Sequence, residues 1–104
     1  MVLYVVKWNI HPDKAEAYGE WVRSATQRLL AVPGVVELRA YRPTTGTHQR
    51  VATYEFADMD AWAAWISSEE VRQALEEGRP LVTNACMELW GPSPTIPEPI
   101  RPGQ

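Results

Sequence analysis

The chain has 104 residues, enough for one domain that withdraws about two thirds of its unfolded surface from water. An apolar fraction of 45% with 10% aromatics supplies a packed core and excludes a disordered coil. The formal charge of −3, with ten Lys and Arg residues dispersed along the chain, leaves no basic stripe for a nucleic-acid partner.

No apolar run approaches the roughly 20 residues that span a bilayer. The opening "MVLYVVKWNI" has no basic lead-in and no small-residue cleavage site, so it reads as a strand rather than a signal peptide. A lone cysteine, Cys86, cannot close an internal disulfide, which makes a reducing cytoplasm the expected setting.

Residues 2–9 are dense in β-branched and aromatic side chains and predict a first strand. His11-Pro12 breaks it, and Asp13 with Glu16 forms a capping-box pattern. Tyr18, Trp21, Val22, Ala25, Leu29 and Val32 then recur at intervals of three and four, an amphipathic helix that Pro33-Gly34 stops. "VVELRAYR" (35–42) and "QRVATYEF" (49–56) alternate in polarity around a Gly-containing turn and predict a hairpin.

Asp58 offers an N-cap to a helix carrying Trp62, Trp65 and Ile66. Ser67 to Glu70 is a second capping box, restarting a short helix through Val71, Ala74 and Leu75 that ends at Gly78 and Pro80. The last predicted strand is 81–90. Five of the final fourteen residues are proline, which fixes φ and removes donors, so residues 91–104 are expected to form a proline-rich arm outside the 1–90 domain.

The order β-α-β-β-α-β is satisfied by a four-stranded antiparallel sheet with its helices on one face, the ferredoxin-like α+β arrangement. Tyr4, Val6, Trp8, Val36, Leu38, Ala40, Ala52, Tyr54 and Phe56 then point toward the helices. The opposite face mixes Leu3, Val5, Val51, Val82 and Cys86 with Lys7, Glu37, Arg39, Thr53, Glu55 and Glu88. A half-apolar face with charges of both signs predicts an isologous homodimer closed through that face.

The stretches "VVKWNIHPDKAEAYGEW", "VPGVVELRAYR" and "YEFADMDAWAAWISSEEVRQAL" make residues 1 to about 90 resemble the dimeric α+β barrel superfamily, and within it the antibiotic biosynthesis monooxygenase-like domains. That resemblance implies two sheets packed face to face into a barrel, with a pocket between each sheet and its helices. Its implied activities range from cofactor-free oxygenation of polyphenols to haem degradation, isomerisation and no catalysis.

Trp62 and Trp65 lie on one helical stripe. Both can pack as core on Tyr54 and Phe56, or wall a pocket for a planar ligand together with Trp8 and Tyr54. The resemblance places Trp65 where many pocket-bearing relatives carry histidine. His11 and His48, with Asn9, are the candidate catalytic groups: an imidazole can take a phenolic proton, and a solvated loop histidine is the plainer alternative.

No carboxylate or thiolate sits at ligand spacing beside either histidine, so no metal site is expected. The topology predicts that Trp8, Asn9, His11, Tyr41, His48 and Trp65 gather at one end of the domain. Haem-degrading relatives carry a histidine on the second helix and an asparagine within the first strand. Here the second helix has no histidine and Asn9 lies at the strand end, which makes haem degradation the most distant reading.

The leading expectation is a cytoplasmic homodimer that binds a small aromatic molecule and acts as a cofactor-independent monooxygenase. The alternative is a non-catalytic binding protein on the same scaffold. Neither a cofactor nor a membrane or nucleic-acid partner is expected.

Overall fold

The computed structural model describes residues 1–103. In chain order it contains β1 (Val2–Ile10), α1 (Ala15–Ala31), β2 (Glu37–Tyr41), β3 (Arg50–Phe56), α2 (Met59–Ile66), α3 (Glu69–Gly78), a 3-10 turn (Arg79–Leu81) and β4 (Val82–Trp90). The four strands form one antiparallel sheet in the order β2-β3-β1-β4, the ferredoxin-like topology that the order of elements predicts.

The central pairing of β1 with β3 runs from Val2 opposite Phe56 to Trp8 opposite Arg50. Even-numbered residues of both strands therefore share one face. On that face Tyr4, Ala52, Tyr54 and Phe56 join Leu29, Trp65, Val71 and Ala74 in a single buried cluster. Burial of these large side chains is the main stabilising term of the domain.

Helix starts follow local chemistry, with two corrections to the sequence reading. The Asp13–Glu16 capping box does not form. The N-cap of α1 is Lys14, without a side-chain bond, while the Asp13 backbone N–H donates to His11 Nδ1 at 3.1 Å. The His-Pro turn thus consumes the donor that a box would have arranged.

Asp58 caps α2 as expected, its carboxylate accepting from the Ala61 N–H at 2.8 Å. The cap of α3 falls one residue later than the Ser67–Glu70 spacing predicts. Ser68 Oγ accepts from the Val71 N–H, and the Ser67 hydroxyl donates back to the Ala63 carbonyl at 2.7 Å. That back-bond ends α2 and turns the chain.

Two further differences concern register. Val36, expected to face inward, is 62% exposed because β2 begins only at Glu37; its neighbour Val35 packs on the core instead. In β4 the pairing changes from Lys7–Cys86 to Asn9–Thr83, so Asn84 and Ala85 together oppose Trp8. This is a β-bulge, and Asn84 takes φ of +53°, a left-handed conformation that asparagine tolerates better than most residues. One extra residue inverts the alternation. Val82, assigned from the sequence to the outer face, lies opposite Ile10 on the parity of Trp8.

The helical layer is held by a close approach. Gly78 is buried against the Trp21 ring, where any Cβ would overlap the indole, and Trp21 Nε1 donates to the Ala74 carbonyl at 3.0 Å. Only glycine fits there. Residues 91–103 contain no helix or strand and are exposed.

Candidate functional site

Three places on this frame carry chemistry: an aromatic layer between sheet and helices, a cavity at the end of β1, and the uncovered sheet face. In the aromatic layer Trp65 is 1% exposed, with its ring centroid 5.2 Å from those of Tyr54 and Phe56 and 6.1 Å from that of Tyr4. Its Nε1–H donates to the Leu29 carbonyl at 3.0 Å, which ties α2 to the last turn of α1.

Trp62 packs beside Tyr4 at 5.8 Å between centroids, and its buried Nε1–H has no hydrogen-bond partner among the described residues. Trp8 stands further along β1, its Nε1–H donating to the Tyr18 hydroxyl at 2.9 Å. The four aromatic residues singled out by sequence therefore lie in one layer. Tyr54, Trp62 and Trp65 gather around Tyr4, with Trp8 at its border.

Tyr4 is the member that the sequence reading did not nominate for the pocket; sharing the parity of Trp8 was the available signal. Its hydroxyl donates to Met87 Sδ at 2.8 Å. Met87 and Leu89 pair with Val6 and Tyr4 on the helix side of β4, yet are 60% and 38% exposed. The helices leave that edge of the layer open.

Burial pushes the Tyr54 hydroxyl up to about 12, with smaller contributions from Tyr4 and Tyr18, and raises that of Tyr4. Desolvation disfavours the phenolate, so both side chains are neutral donors at ordinary pH.

At the other end of the helix-side face, Ile10, His11, Pro12, Ala15, Arg42, Pro43, His48, Gln49 and Arg50 line a cavity of about 500 Å³. Here the two histidines, separated by 37 positions in sequence, line the same cavity. Asn9 stands just outside: its Oδ1 accepts from the Gln49 backbone N–H at 2.8 Å, which fixes the start of β3 against the end of β1.

The expected gathering of Trp65 with the histidines does not occur. The second helical region is broken at Ser67, so α3 is the segment whose C-terminal end returns to β4 beside Ile10, and α2 keeps Trp65 over Phe56 at the start of β1.

On the uncovered face, Leu3, Val5, Val51 and Trp90 form the apolar floor and rim of a shallow hollow of about 450 Å³. All six charged and polar residues expected there share its parity, Glu88 by pairing opposite Val5. Lys7 approaches Glu88 at 3.7 Å, and Trp90 Nε1 donates to the same carboxylate at 2.9 Å. That hydrogen bond first, and the Lys7 charge second, hold Glu88 below the usual carboxylate range.

Arg39 bonds Glu37 at 2.6 Å. Glu55 lies directly opposite Glu37 in the ladder and has no ion-pair partner among the described residues. Like charges in that relation destabilise a sheet.

By topology this is a ferredoxin-like α+β domain with an aromatic inner layer. The chain belongs to the antibiotic biosynthesis monooxygenase family, which matches residues 1–77.

Solved structures agree on the fold. A dabb family protein with a ferredoxin-like fold from Mesorhizobium loti superposes with a TM-score of 0.78 at 16% identity, over 88% of this chain and 96% of its own. A dimeric ferredoxin-like protein of unknown function from Thermobifida fusca gives 0.71 at 14%, over 86% and 88%. SnoaB, a cofactor-independent oxygenase from Streptomyces nogalater, gives 0.72 at 21%, over 93% and 97%. No curated protein matches the chain.

Proposed function

We propose that two copies of the chain pair through the uncovered sheet face, and that the aromatic layer of each binds a flat phenolic molecule and oxygenates it without metal or flavin. The observation that carries the catalytic half is the buried, unpartnered Trp62 N–H beside Tyr4. A buried donor without an acceptor costs about 1–3 kcal/mol, and an oxyanion of the substrate would satisfy it. The exposed Met87 and Leu89 mark the side from which such a molecule enters. The description of SnoaB as a cofactor-independent oxygenase lends this reading its chemical class.

In this mechanism the substrate is a phenol with an acidic ring methylene, and it loses a proton through its own acidity while the Trp62 N–H holds the resulting anion. The anion gives one electron to dioxygen, the two radicals recombine in a C–O bond, the resulting peroxide takes back the proton that the methylene released to water, and loss of water leaves a carbonyl. One oxygen atom of O2 enters the quinone and the other leaves as water. Turnover of an anthrone-type phenol should consume one O2 per quinone, and Trp62→Phe should slow it about tenfold or more by removing one charge-assisted hydrogen bond. Normal turnover by a folded Trp62→Phe protein would overturn the assignment.

Tyr54 and Tyr4, the ionisable groups that meet Trp65, resist ionisation, which favours a second reading in which the layer binds without reacting. Saturable quenching of tryptophan fluorescence with no oxygen uptake would select it.

The dimer half rests on the apolar hollow and on Glu55, whose charge calls for a cation from across a two-fold axis. The Thermobifida neighbour, described as dimeric, supports the same pairing. The arm after Trp90, with Ile96 and Ile100 exposed, would lie along the second subunit. Sedimentation at micromolar concentration should show dimers, weakened by Leu3→Lys and by deletion of residues 92–104. Single chains throughout would refute the pairing.

A further inference from the structure

We propose that the cavity at the end of β1 binds a small organic anion, a carboxylate or a phosphate monoester, whose charge is held between Arg42 and Arg50. This inference stands apart from the oxygenation reading, because it uses none of the aromatic residues invoked there. The cavity of about 500 Å³ is of the size that accommodates small molecules. Its lining holds two guanidinium groups, two imidazoles and a primary amide, and no carboxylate.

Among the described residues Arg42 has neither an ion-pair nor a hydrogen-bond partner, and Arg50 only donates Nη1–H to the Gln49 carbonyl at 2.9 Å. Two fork-shaped cations in one concave site, both uncompensated, are suited to bidentate recognition of a carboxylate or phosphate.

The remaining polar groups are already oriented. His11 Nδ1 accepts from the Asp13 N–H, so the neutral ring carries its proton on Nε2 and presents a donor. His48 Nε2 lies 3.0 Å from the Asn84 carbonyl, which can only accept, so its neutral ring presents a bare Nδ1. That carbonyl belongs to the left-handed residue of the β4 bulge, a strained device of the kind that re-aims groups beside sites. Gln49 Oε1 accepts from the Ile10 N–H at 2.7 Å, which leaves the amide Nε2 as a further donor.

Arg50 pairs with Trp8 and so sits on the same sheet face as the aromatic layer. Ala15, the first residue of α1, adds a wall next to an N-cap without a side-chain bond. A bare phosphate would leave much of this volume empty. Ile10, Pro12 and Pro43 supply apolar walls for an organic body attached to the charge.

The test is a titration of the full chain with benzoate and, separately, with phenyl phosphate, followed by NMR. Saturable shifts of the His11 and His48 ring signals and of the Gln49 side-chain amide are expected. Arg42→Gln and Arg50→Gln should each weaken the dissociation constant about tenfold, the scale of one charge-assisted hydrogen bond. Arg42 makes no side-chain bond among the described residues, so its variant remains informative even where Arg50→Gln unfolds. Arg72→Gln, which removes an exposed cation on α3, should leave binding unchanged.

Tighter binding of phenyl phosphate assigns the site to phosphate monoesters, and tighter binding of benzoate to carboxylates. Absence of saturation with either, or an equal loss in Arg72→Gln, overturns the proposal.

Discussion

The two faces of one sheet are built from the same strands, one residue out of phase, and they come to opposite ends. On the inner face Tyr4, Tyr54, Phe56 and Trp65 interlock so closely that Phe56 and Trp65 retain almost no exposed surface. On the outer face Leu3, Val5 and Val51 are interrupted by Lys7, Arg39, Glu37 and Glu55, and Trp90 remains 48% exposed.

The inner face is closed by its own chain except along β4, where Met87 and Leu89 stay exposed, while the outer one keeps the apolar rim of Leu3, Val51 and Trp90 and, among the described residues, an unpaired Glu55 carboxylate. Alternation of polarity thus decides which face folds against helices. The admixture of charge decides how the other can be covered: in register, by a surface with complementary charge, rather than by any greasy partner.

The largest effect that can test this contrast is truncation of the inner layer. Trp65→Ala should lower unfolding free energy by about 3–5 kcal/mol in chemical denaturation, since it opens a cavity and removes the bond to the Leu29 carbonyl. A loss below about 1 kcal/mol would show that the layer is loosely filled.

The second test is alkaline. The Tyr54 hydroxyl ordinarily ionises near pH 10 but is held to about 12 in the fold, so the unfolded chain releases its proton first. Its stabilising contribution is complete below pH 10 and falls away between 10 and 12, amounting to about 2–3 kcal/mol by linkage. Tyr54→Phe should flatten that part of the stability profile.

Gly78→Ala should cost about 1–3 kcal/mol, because the new methyl meets the Trp21 ring, which its bond to Ala74 keeps from swinging aside. A smaller residue at position 21, as in Trp21→Leu, should relieve part of that cost in the double variant.

The smallest effect belongs to the outer face: Arg39→Ala should change monomer unfolding by under about 1 kcal/mol, as exposed ion pairs do. A larger effect of the same change on association, read by sedimentation, would sharpen the distinction between a face that stabilises the fold and one that governs pairing.

Much of this organisation is legible in the residues. The two alternating runs of the hairpin and the three- and four-residue spacing of α1 specify the elements. The Asp58 cap and the serine pair locate α2 and α3 to within a residue. The parity of β1, β2 and β3 identifies both faces, including five of the six polar residues of the outer one, and the alternation of β4 beyond its bulge adds Glu88.

What escapes is whatever depends on contacts between distant segments. The Asp13–Glu16 pattern is a sound cap that the His-Pro turn pre-empts. The Asn84 bulge reverses Val82, and no local signal beyond one asparagine announces it.

By itself, then, the order of residues determined the ferredoxin-like topology, the apolar character of each sheet face and the aromatic make-up of the inner layer, because these follow from period and side-chain volume. Only the folded chain decided that Trp65 stays with Phe56, away from the end where His11 and His48 gather, and that Arg42 and Arg50 join those histidines around one cavity. That placement hangs on a two-residue break at Ser67–Ser68 and a one-residue bulge at Asn84, and shifts of one or two residues reorient what lies beyond them while barely altering the pattern that a sequence displays.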